Sequence, residues 1–67
     1  MRQMTKAEQR AHVRRRAPEL ARSGQFLGWW SIETHLRYEE GCPEARSELD
    51  NERLREELDR LCRGANA

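Results

Sequence analysis

The sequence predicts an all-α fold, a small bundle of three to four short helices with the first helix kinked at Pro18. Three observations predict it. Only Thr5, Val13, Ile32 and Thr34 are Thr, Val or Ile. Strands favour such β-branched side chains in period-2 alternation, and neither signal is present. Apolar residues instead recur at steps of three and four, the spacing of one helix face. Glycine and proline punctuate the chain at Pro18, Gly24, Gly41, Pro43 and Gly64, where helices would stop or start.

The first helix is expected over residues 5–22. The stretch "TKAE", Thr5 to Glu8, is a capping box: Thr5 accepts from the amide three residues on, and Glu8 reaches back. Val13, Ala17, Leu20 and Ala21 then form an apolar stripe. Pro18 removes an amide and disfavours helical geometry at Ala17, so the helix should kink or restart there. Gly24 closes it. "QFLG" is a tight connection. The second helix is expected over residues 29–40, with Gly41 as its stop and Trp29, Ile32 and Leu36 inward. Trp30, Thr34 and Tyr38 form a second line, about 100° round the axis. Glu33 and Arg37 are spaced as an i, i+4 ion pair. Pro43 opens a third helix over 43–49, with Ala45 and Leu49 inward. The five-residue step from Leu49 to Leu54 fits no continuous stripe, so Asp50-Asn51 reads as a break and a cap. The last helix, over 52–63, turns Leu54, Leu58, Leu61 and Cys62 inward. Glu56–Arg60 and Asp59–Arg63 should brace its outer face, and Gly64 should end it.

The 67 residues make a single helical domain, 1–67, with residues 1–4 and 64–67 expected to fray. The expected buried set is Val13, Leu20, Trp29, Ile32, Leu36, Leu49, Leu54, Leu58 and Leu61. Apolar residues are 36% of the chain and charged residues 37%, so the core is thin and a second copy or partner would help it. The longest apolar runs are pairs such as Phe26-Leu27 and Trp29-Trp30. No membrane span is therefore expected, since one needs about 18 or more apolar residues. "MRQMTK" lacks the apolar run of a secretory leader. A cytoplasmic location is expected, with Cys42 and Cys62 as free thiols.

Charge is divided along the chain. Residues 1–30 hold seven Lys or Arg against two Glu, a net +5; residues 31–67 hold six Arg against ten Asp or Glu, a net −4. The basic half could meet nucleic-acid phosphate, or it could meet the acidic half of the same chain or of another copy.

The pattern "LARSGQFLGWWSIETHLRYEEGCPEARSELD", followed by "LREELDRLC", resembles a group of short uncharacterised bacterial proteins, some associated with mobile genetic elements. The similarity spans residues 19–62. It implies a bacterial cytoplasmic accessory protein and brings no activity or functional residues to carry over.

No enzyme is expected. Ser23, Ser31 and Ser47 lack a nucleophile-elbow setting, and the glycines form no phosphate loop. His12 and His35 read as isolated, and Glu39-Glu40 as part of a solvated face. His12, His35, Cys42 and Cys62 lack zinc-ligand spacing, so neither a metal nor a cofactor is expected. A chain this short offers little room for a small-molecule pocket.

The sequence therefore favours a small non-catalytic adaptor or regulator that binds a protein partner or a second copy of itself. Trp30, Tyr38 and Arg37 are the candidate contact residues, being of the types that anchor interfaces. The alternative is a DNA-binding regulator, with residues 29–49 spaced as a helix-turn-helix and Arg14, Arg15 and Arg16 on phosphates. Against it, the would-be reading helix offers Glu44 and Glu48 beside Arg46 and Ser47, a poor match to a polyanion.

Overall fold

A computed structural model describes residues 4–66. Four helices and no strands are present among them: α1 Lys6–Arg22, α2 Trp29–Tyr38, α3 Ala45–Glu48 and α4 Glu52–Ala65. α1 packs against each of the other three, most extensively against α4. The whole measures 39 × 22 × 15 Å. At that thickness the short helices can seal one side and leave the other to solvent.

α1 begins as its sequence dictates. The Glu8 amide donates to Thr5 Oγ1 at 3.1 Å, and the Thr5 amide donates to Glu8 Oε1 at 3.2 Å. Val13, Ala17, Leu20 and Ala21 form its buried stripe. Pro18 lies inside one continuous helix, so the expected restart as a second piece does not occur. Its missing amide perturbs the ladder locally, while the stripe on either side remains in register against the core. Gly24 follows the helix at φ 79°, where a side chain would be strained.

α2 ends two residues before the expected Glu40. The His35 carbonyl accepts from both the Glu39 and Glu40 amides, at 2.8 and 3.2 Å, and the last turn widens. Gly41, at φ 65°, then turns the chain, and the Cys42 amide returns to the Leu36 carbonyl at 2.9 Å. α3 is a single turn, shorter than the expected 43–49, because Pro43 and Glu44 are spent in the turn that leads into it. α4 starts at Asn51, whose Oδ1 accepts from the Leu54 amide at 3.1 Å. It passes through Gly64 to Ala65, beyond its expected end. Asn66 is the true stop: its backbone amide and its side-chain Nδ2 both donate to the Cys62 carbonyl, at 3.0 and 2.8 Å. Nδ2 also donates to the Phe26 carbonyl at 3.0 Å, tying the α1–α2 loop to the end of α4. Residues 64–65 are therefore helical, and Met4 packs on the core, where fraying was expected. Residues 1–3 and 67 lie outside the described residues.

The short helices borrow their caps from the long ones. Gly28 at the head of α2 has no side chain, and Asp59 of α4 fills the role, accepting from the Trp29 amide at 2.9 Å. A Cβ on Gly28 would sit 3.1 Å from Asp59 Oδ1 and 2.9 Å from Trp30 Nε1, so a larger residue would have to displace the Trp30 ring and crowd the capping carboxylate. At α3, the Glu44 amide donates to Gln9 of α1 at 3.2 Å. The Leu49 carbonyl, just past α3, accepts from Arg55 Nε of α4 at 2.8 Å.

The core is Val13, Ala17, Leu20, Ala21, Ile32, Leu36, Cys42, Ala45, Leu49, Leu58 and Cys62. Trp29, Leu54 and Leu61, expected to be buried, are only half-buried and pack on its edge with Met4 and Phe26. The cause is position: Ile32, Leu36, Leu49 and Leu58 fill the centre together with the alanines and cysteines, and Trp29, Leu54 and Leu61 flank that central line. Both cysteines are free and fully buried. Burial pushes both thiols up, helped by the Glu40 charge at Cys42 and the Asp59 charge at Cys62, so both stay protonated and inert at neutral pH. No described helix is long and apolar enough to cross a membrane.

Candidate functional site

α2 divides its side chains between two sides. Ile32 and Leu36 are sealed in the core, while Trp30 remains 54% exposed and Tyr38 70%. Leu27, in the loop leading into α2, is 75% exposed. These are the three exposed large apolar side chains among the described residues. Thr34 lies on the same line as Trp30 and Tyr38, its hydroxyl donating to the Trp30 carbonyl at 3.0 Å, so it offers little competing polarity. Arg37 sits beside them. Its guanidinium is 5.1 Å from the Tyr38 ring centroid and 3.9 Å from Glu33 Oε2. Trp30, Tyr38 and Arg37 thus share the outer side of α2, and Leu27 is exposed in the loop before it. Leu27 was missed because "QFLG" reads as a connection, and an apolar residue in a tight turn carries no periodic signal.

Trp29 is held differently. Arg55 of α4 stacks on it, with the guanidinium carbon 3.9 Å from the ring centroid. The same guanidinium donates to the Leu49 carbonyl and lies 3.4 Å from Asp50 Oδ1. Trp29, Glu33, Arg46, Ser47, Asp50 and Arg55 line an open, mostly polar groove of about 410 Å³ between α2, α3 and α4. With the Arg55 head group already engaged on three sides, the groove reads as a buttress for α3.

The basic run faces the acidic half of its own chain. Arg14 Nε bonds to Glu48 Oε1, and Arg10 lies 3.3 Å from Glu44. Arg16 Nε sits 3.1 and 3.2 Å from the two oxygens of Glu40, and its Nη1 reaches Glu19 at 3.3 Å. Of the three arginines weighed as phosphate contacts, Arg15 alone is exposed with no ion pair to another described residue. α3, the would-be reading helix, is one turn long.

Glu40 is the node of this seam. His12 Nε2 of α1 lies 2.7 Å from Oε1, and His35 Nε2 of α2 lies 2.8 Å from Oε2. Phe26 packs edge-on against His35, with ring centroids 5.2 Å apart. Burial pushes the Glu40 carboxyl up. Hydrogen bonds from His12, Arg16 and His35, with the Arg16 charge, outweigh it and hold the group below the usual carboxylate range. The two histidines, isolated in sequence, share one carboxylate that was expected on a solvated face. Only the fold brings positions 12, 35 and 40 together. No group of three or more His, Cys, Asp or Glu suited to a metal ion occurs among the described residues.

Two expected braces on α4 are absent. Asp59 turns to cap α2 and makes no ion pair with Arg63, and Glu56–Arg60 is likewise unpaired among the described residues. Comparison with protein-family models, with curated proteins and with solved structures returns no match to this chain.

Proposed function

We propose that this chain is a small bacterial, cytoplasmic adaptor or regulator that works without catalysis, by binding a protein through the outer side of α2. The observation that carries this reading is the exposure of Trp30 and Tyr38 on a helix whose other side is sealed in the core. Aromatic rings of this size in water are unfavourable in a free monomer and favourable once covered. Arg37, stacked on Tyr38, supplies a rim charge that steers an approaching partner. The DNA-binding alternative has less support, since Arg14 and Arg16 already neutralise carboxylates of the same chain.

The test compares wild type with Trp30→Ala and Tyr38→Ala for retention of a partner from the native host, with anisotropy titrations of mixed-sequence duplex DNA across a salt series. The reading expects a specific protein retained by wild type and lost from both variants, with no DNA bound at low salt. Salt-sensitive DNA binding, unaffected by Trp30→Ala and lost in Arg15→Ala, would replace it with the nucleic-acid reading.

A further inference from the structure

We draw no further inference here: the strongest candidate, the exposed outer side of α2 with Trp30 and Tyr38, belongs to the site already described, and nothing in the structure shows what covers it.

Discussion

Trp29 and Trp30 are neighbours in sequence and have different covers. Trp29 lies under Arg55, and its backbone amide is held by Asp59. Trp30 has solvent over half its surface. Trp30→Ala is therefore expected to shift stability by less than about 0.5 kcal/mol, the range of ordinary surface changes. Trp29→Ala should cost about 2 kcal/mol or more, short of the ~3–5 kcal/mol of a fully buried aromatic. Thermal melts of the two variants make the comparison, and equal losses would place both rings in the core. Glu40 is the other decisive residue. Its carboxyl is held below its ordinary value, so it contributes stability that is complete above the unfolded-state pKa near 4.5 and is lost as pH falls through the lower folded value. Glu40→Gln should lower the melting temperature at pH 7 and flatten its decline below pH 4.5. Parallel wild-type and variant acid limbs would show that Glu40 is not the group being titrated.

At the scale of the element, α2 and α3 are too short to stand on propensity. They depend on side chains from α1 and α4 at their ends. Asp59→Ala should cost about 1 kcal/mol through loss of the α2 cap, and Gly28→Ala should cost a comparable amount because its Cβ collides with the same contact. If Gly28→Ala proved as stable as wild type in urea titration, the close approach of Asp59 would not hold in solution. The α1 cap, the helix count and the inward stripes were legible because they are local: each is written in residues three or four apart. The borrowed caps were not legible. Asp59 and Trp29 are 30 residues apart, and the i, i+4 rule gave Asp59 a nearer partner in Arg63. The same holds for the core. Periodicity names the inward side of a helix, and it does not say that Cys42 and Cys62 will join Leu36, Leu49 and Leu58 at the centre while Trp29, Leu54 and Leu61 take the edge. Leu58, at the centre of α4's inward side, is the position where both views agree. Leu58→Ala should cost ~2–5 kcal/mol, enough to unfold much of so small a domain, as circular dichroism would report.

For the whole molecule, the division of charge between the halves turns out to be a fold-level seam. Arg10, Arg14 and Arg16 of α1 meet Glu44, Glu48 and Glu40 of the segment after α2. The net charges alone left open whether the basic half would meet phosphate, another copy or its own chain; the register of α1 against residues 40–48 selects the last. Exposed pairs are individually weak and are screened by salt. The melting temperature should therefore fall by several degrees between 20 mM and 500 mM NaCl, and Glu44→Gln with Glu48→Gln should remove part of that dependence. A melt indifferent to salt would show that the seam adds nothing to stability. The contrast between the two tryptophans has a practical consequence as well. One indole is shielded by a guanidinium and the other stands in water, so the chain contains two fluorophores in unlike surroundings. Emission from Trp30 should be red-shifted and readily quenched by acrylamide, while Trp29 should resist quenching. Covering the outer side of α2 would shift only the accessible fraction to the blue, so association can be followed optically on the unlabelled protein.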